Sequence, residues 1–192
     1  MLQVRHLSYA SQLCRVYVGH DDVQRQIDDY VAAGATATTP RKPLVIVGGS
    51  GAGKSAALAR WLFRATDVEG FILPHFVGST ANSTKFEAIV TRLAEELKRS
   101  FGFESDVPTE WSELMEIVPK CPLEAHTVPL TVPLALSCAA SAQCTQVLSH
   151  ALCVCDRWLH LACATTPVII VIDGLDQLID ICIYICIYMY IY

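Results

Sequence analysis

Basic clusters are missing from this sequence. Its lysines and arginines are scattered, and a formal net charge of -5 with an isoelectric point near 5.6 leaves no electrostatic footprint for nucleic acid. The same scatter leaves no polybasic patch for a membrane surface. An export signal is missing as well, because Arg5, His6, Gln12 and Arg15 interrupt the start MLQVRHLSYASQLCRVYVG before an apolar core of signal-peptide type can form. The expected setting is therefore cytoplasmic. Cysteine is nearly absent from the first 120 residues, where Cys14 stands alone; the other eight of the nine fall between Cys121 and Cys186. An odd count without an export signal reads as reduced thiols, not as a disulfide framework. At 192 residues the chain suffices for one domain with a sizeable core, and not for two.

Charge is what sets the stretches apart. Residues 1–13 form an N-terminal segment, and residues 14–120 have the mixed charges and periodicity of an α/β protein. Val23, Ile27, Tyr30 and Val31 follow the i, i+4, i+7, i+8 stripe of an amphipathic helix. A turn-rich linker runs from Gly34 to Lys42. Leu44–Val47 is short and wholly apolar, as a buried parallel strand would be. A helix is expected from Lys54 to about Ala65, and a second strand over Phe71–Val77 despite Pro74. Thr84 and Glu87 have capping-box spacing. Behind them Phe86, Ile89, Val90, Leu93 and Leu97 make one apolar stripe, with Lys85, Arg92, Glu95, Glu96, Lys98 and Arg99 off it. Strand and helix alternate, so the pattern predicts a sheet with helices on its faces.

Residues 121–163 hold three charged residues (Glu124, Asp156, Arg157) and six cysteines, with no sustained period. They read as a non-native or disordered insertion, since long structureless stretches are uncommon inside compact domains. Lys54 precedes Asp173 by 119 residues, or by 76 with that stretch set aside, a length suited to one strand and two or three helices. Residues 164–180 return to the α/β pattern. Residues 181–192, ICIYICIYMYIY, are a low-complexity tail with the look of a translated TA/TG simple repeat. Its alternation makes it an aggregation-prone strand.

Glycine is concentrated where chemistry needs it. Gly48-Gly49-Ser50-Gly51-Ala52-Gly53-Lys54-Ser55 fits G-x-x-x-x-G-K-[ST]. Such a loop wraps a polyphosphate with its N–H groups pointing inward, which demands angles that glycine adopts readily. Lys54 would set a compact positive charge against the β- and γ-phosphates. Ser55 would coordinate Mg²⁺, and the helix start, with Ala56, would favour the anion. An apolar strand before the loop and the helix-forming AALARWL after it supply the context the pattern requires.

A second element pairs with it. Val168–Ile172 is apolar and β-branched, and it ends in Asp173 and Asp176. A carboxylate at the carboxyl end of a buried parallel strand lies where ligands bind in open α/β sheets. This is the Walker B arrangement: Asp173 would hold the hydration shell of Mg²⁺, and Asp176 could orient the attacking water.

Together PLVIVGGSGAGKSAALARWL, PHFVGSTANST and VIIVIDGLDQL resemble the NACHT-type P-loop NTPases of the STAND class. They look closest to the nephrocystin-3-like and NACHT-and-TPR group. RVYVGHDDVQRQIDDYV resembles the element before the P-loop that helps seat the base, which would put Tyr17, Val18 and Gly19 near the adenine. The resemblance covers roughly 14–120 and 166–179. It implies a three-layer P-loop NTPase fold of the α/β class, its sheet mostly parallel and incomplete at the C-terminus because the chain stops just after Walker B. It implies ATP or ADP with Mg²⁺, and slow hydrolysis with Asp176 and Lys54 as catalytic groups. It also implies a regulatory scaffold whose protein partners bind elsewhere, with a link to the cilium by resemblance alone. His20 stands where arginine is common, and Gln177 where many members carry a second acid, which puts fast hydrolysis in doubt. The other readings are a non-hydrolysing nucleotide-binding or protein-interaction module, and an inactive truncated gene product.

Other features carry less. Cys144, His150, Cys153, Cys155, His160 and Cys163 lack the C-x-x-C spacing of structural zinc sites. The uncharged run from Ala125 to Cys155 contains Pro129, Pro133, Gln143, Gln146 and His150, each awkward in a membrane span. His75 reads as a packed strand-end histidine. Ser79, Thr80, Ser83 and Thr84 read first as a turn, and second as neighbours of the γ-phosphate.

Overall fold

The computed structural model describes residues 2–15, 17, 19–35, 44–104, 106–108, 110, 112–113, 130–133, 166–174 and 186–191. Its elements are α1 (Leu2–Cys14), α2 (Asp21–Ala35), β1 (Leu44–Val47), α3 (Lys54–Arg64), β2 (Phe71–Phe76), α4 (Phe86–Phe101), β3 (Leu130–Pro133), β4 (Val168–Asp173) and β5 (Cys186–Ile191). Every residue of β1 and β4 is buried. Continuous apolar strands need cover on both faces, and both faces have it. On one side Leu44, Ile46, Ile169 and Val171 join Ala10 of α1, the α2 stripe and Leu58, Ala59 and Trp61 of α3 in one cluster. On the other side α4 lies along β2, with Phe101 edge-on to Phe71 at 5.4 Å.

The strand order is β2-β4-β5-β1-β3. β2 runs parallel to β4 and β1 parallel to β3, whereas β5 is antiparallel to both β4 and β1. The expectation of a mostly parallel sheet thus meets an even division among the described pairings. The cause is connection: β5 follows β4 and turns back along it, a reversal that needs no crossover helix. β3 and β5 come from the two stretches that the sequence sets apart from the domain, and β5 alone joins the β2–β4 pair to the β1–β3 pair. Pro74 sits in β2 at the margin of the sheet, where its missing N–H does least damage.

At the start of β2, Phe71 N donates to Pro167 O at 2.8 Å. Gly70 makes this approach with φ 150°, and a Cβ there would stand 2.9 Å from that same oxygen. No side chain fits.

Two details depart from the periodicity. α4 begins at Phe86 with Lys85 as its N-cap and no side-chain cap bond, one residue too late for the Thr84–Glu87 box. The Thr84 hydroxyl donates back to Ala81 O at 3.5 Å instead. Arg92 and Glu96, placed off the apolar stripe, are 4% and 2% exposed. Arg92 follows Ile89 and Glu96 follows Leu93, each at i+3, so they turn inward with the stripe. The sequence offers no assignment for residues 1–13; residues 2–13 form most of α1, which packs on α3 and β2. No helix among the described residues is long and apolar enough to cross a membrane. The expected linker from Gly34 to Lys42 starts later than the sequence suggests, since Gly34 and Ala35 belong to α2; the rest of it, the cysteine–histidine set and nearly all of the uncharged run lie outside the described residues, as do Val18, Asp176 and Gln177.

Candidate functional site

The site grows from the end of β1. The loop turns at once, with Ala52 N donating to Gly49 O at 3.2 Å. Gly51 and Gly53 hold φ 76° and 83°, in the left-handed region that costs other residues roughly 1–2 kcal/mol. Gly53 is the N-cap of α3 and brings no side-chain cap bond to its first N–H groups. A helix start in that condition attracts an anion. Lys54 is 8% exposed, and its Nζ donates to Gly48 O and Gly49 O, each at 2.8 Å. The ammonium is therefore held inside the arc of the loop.

Ser55 follows, and its Oγ donates to Asp173 Oδ1 at 2.9 Å across 118 residues of sequence. Asp173 is the last residue of β4 and 4% exposed. β1 and β4 both flank β5, about 9–10 Å apart at ladder spacing, and the loop spans that gap. Val77 N donates to Asp173 O at 3.0 Å, which ties the turn after β2 to the same point. Gly48, Gly49, Ser50, Gly51, Ala52, Gly53, Lys54, Ser55 and Ala56 thus form one continuous loop and helix start beside Asp173. Asp176 and Val18 have no described position.

A hydroxyl and a carboxylate at this distance make a hard oxygen donor pair. Mg²⁺ takes one or two such ligands and completes its octahedron with water and phosphate oxygens. The residues present therefore fit Mg²⁺ with a triphosphate. Among the described residues no group of three or more His, Cys, Asp or Glu could hold a metal by itself.

The segment before α2 closes on the loop. Gly19 and His20 take φ 103° and 59°, and His20 Nε2 lies 3.9 Å from where a Cβ on Gly53 would stand. A cavity of about 240 Å³ opens beside them, lined by Tyr17, Gly19, Asp21, Gln24, Arg60 and Arg64. Burial raises the Tyr17 phenol above its usual pKa, against a smaller opposing pull from Gln24.

Sequence reasoning missed two groups of residues here. Gln24, 3% exposed, donates to Ala57 O at 2.7 Å and pins α2 to the first turn of α3. The signal was present, since Gln24 sits among Val23, Ile27 and Val31 on the apolar face. The second group lies behind the β2 turn. His6 Nδ1 accepts from Phe76 N at 3.0 Å and sits 2.9 Å from Ser79 Oγ. Its ring lies 4.5 Å from that of His75. Arg92 donates to Pro74 O at 2.9 Å and approaches His75 Nδ1 at 3.3 Å. Burial first, then the Arg92 charge, lowers His6 to about 3 and His75 well below the usual histidine range. Burial also lowers Arg92 to about 10. Both histidines are neutral struts at neutral pH, which agrees with a packed strand-end role for His75.

Comparison with known proteins gives partial similarities. No family model matches the chain, and no solved structure matches it. Nephrocystin-3 of Mus musculus is 32% identical over 105 residues, and nephrocystin-3 of Homo sapiens 31% over 106. A TPR repeat-containing protein of Dictyostelium discoideum is 22% identical over 125 residues. These alignments take in 53–54% of this chain and 8% of each relative. The chain is similar over half its length to nephrocystin-3 and to a TPR repeat-containing protein, and it spans only a small fraction of either.

Proposed function

We propose that this chain binds a nucleoside triphosphate, ATP before others, together with Mg²⁺, as a P-loop module of the NACHT/STAND type. The observation that carries the reading is the Ser55–Asp173 hydrogen bond, which unites the glycine-rich loop with the acidic strand end far away in sequence. The loop N–H groups and the α3 start would bind the β- and γ-phosphates, with Lys54 exchanging its two loop carbonyls for phosphate oxygens. Ser55 and Asp173 would hold Mg²⁺, Ser55 directly and Asp173 through its water shell. Bound there, the ion neutralises charge on the phosphates. Asp176 is the water-positioning candidate. On this reading the sheet is a P-loop NTPase sheet with Walker A after β1 and Walker B at the end of β4.

Slow hydrolysis as a switch in a cytoplasmic scaffold is the form we favour; the partial similarity to a TPR repeat-containing protein supports the scaffold part alone. Protein partners would engage regions beyond this chain. A second reading, nucleotide held without turnover, rests on Gln177, an amide in place of a second acid.

Calorimetry of the full chain with ATP, with and without Mg²⁺, tests binding. We expect Lys54→Ala to weaken ATP at least tenfold, because a buried cation at the phosphates is lost. Unchanged affinity in that variant would sink the proposal. Phosphate release that disappears in Lys54→Ala identifies an ATPase; binding without release identifies the trapping module.

A further inference from the structure

The last peptide groups of β2 are claimed from two sides. β2 stands at the margin of the described strands, so alternate N–H and C=O groups point away from β4, where no described strand receives them. On that outer edge Arg92 of α4 donates to Pro74 O at 2.9 Å. Two residues on, His6 of α1 accepts from Phe76 N at 3.0 Å. Val77 N, next along the chain, points the other way and donates to Asp173 O at 3.0 Å. Successive N–H groups thus clamp the strand end to α1 on one side and to the strand that carries Asp173 on the other.

His6 holds more than that one bond. Phe76 N can only donate, so Nδ1 carries no proton, and the Ser79 hydroxyl 2.9 Å away donates to the same nitrogen. Between them Ser79 N closes on Phe76 O at 3.3 Å over Gly78, whose φ is 83°. One imidazole, 1% exposed, therefore staples both ends of the turn. We infer that His6 is a positioning residue for Mg²⁺: the turn it fixes holds the Asp173 backbone, from which the Asp173 carboxylate meets Ser55 and the ion. The hydrogen bonds of this relay, from His6 to Phe76, from Val77 to Asp173 and from Asp173 to Ser55, measure 3.0, 3.0 and 2.9 Å. The inference rests on the nucleotide reading above and adds a control to the same site: how firmly α1 is seated sets how well the site holds its metal. Coupling between two sites is reciprocal, so bound Mg²⁺ and ATP also tighten α1.

The readout is the gain in ATP affinity that Mg²⁺ gives, from calorimetry of the full chain with and without the ion. His6→Leu fills the space without an acceptor and should cut that gain roughly fivefold, as one hydrogen bond allows, while ATP alone binds as in the wild type. His6→Asn puts an oxygen near the place of Nδ1 and should restore most of the gain. In an Asp173→Asn background, His6→Leu should take away nothing further. A strut with a structural role only would weaken ATP equally with and without Mg²⁺, or not at all; the gain would then stay unmoved, and the assignment would be overturned. Should His6→Leu melt below the assay temperature, Ser79→Ala decides instead. It removes only the second bond to Nδ1 and should lower the gain roughly twofold, and an unmoved gain there is equally fatal. If the gain does not respond while Lys54→Ala still weakens ATP, the staple fails and the phosphate reading stands. A wild-type chain that binds no triphosphate ends both.

Discussion

Removing the Ser55 hydroxyl tests the joint on which the site depends. In Ser55→Ala, Asp173 keeps its charge and its burial but loses a donor at 2.9 Å. A hydrogen bond to a charged, buried acceptor contributes about 1.5–3 kcal/mol, and an oxygen left unpaired bears most of that as a desolvation cost. Asp173→Asn removes the charge and keeps the shape. If the two groups act through their mutual bond, the double variant costs less than the sum, with a coupling energy of about 1 kcal/mol or more. Urea denaturation of the four proteins without nucleotide measures it. In a domain of this size 1 kcal/mol also moves the melting temperature by about 2–4 °C. A coupling energy below about 0.5 kcal/mol would mean that Ser55 and Asp173 do not support each other, and the reasoning from that contact would fail. The same variants should flatten the Mg²⁺ dependence of ATP affinity.

Stability should fall with pH below neutrality. His6 is lowered to about 3 from an unfolded value near 6.5, so the unfolded chain binds more protons between those limits. Its contribution is intact above 6.5 and is lost as pH falls towards 3, roughly 2 kcal/mol of it by pH 5. His75 acts in the same direction. His6→Asn keeps an acceptor for Phe76 N and should reduce the slope of stability against pH; an unchanged slope would show that His6 is not buried neutral. Gly70→Ala should destabilise by about 2 kcal/mol or more, since strain at φ 150° adds to a 2.9 Å approach to Pro167 O. Gly53→Ala, with its nearest contact at 3.9 Å, should cost only the left-handed backbone, about 1 kcal/mol in thermal melts, while impairing triphosphate binding more than stability.

Local patterns were legible wherever short-range physics decides. Leu44–Val47 and Val168–Ile172 are apolar throughout and form strands buried on both faces. Val23, Ile27, Tyr30 and Val31 recur with the helical period and are all buried. The run from Gly48 to Ser55 announced its own conformation, because a loop with left-handed turns at Gly51 and Gly53 is what its glycines permit. Capping was less legible, for a shift of one residue at Phe86 dissolved the Thr84–Glu87 box.

What the sequence alone determined, then, is the set of elements whose apolar period or glycine content leaves one outcome. The tertiary structure decided which of them meet. It brought Ser55 to Asp173 and Gln24 to Ala57, and it buried His6, His75, Arg92 and Glu96 in places where composition would have put them at the surface. It also placed β5 between β1 and β4. The reason is physical: a contact across 33 or 118 residues depends on strand order and helix crossing, which no local period encodes, and the cost of burying a polar group is offset where it finds a partner, as Ser55 and Asp173 do.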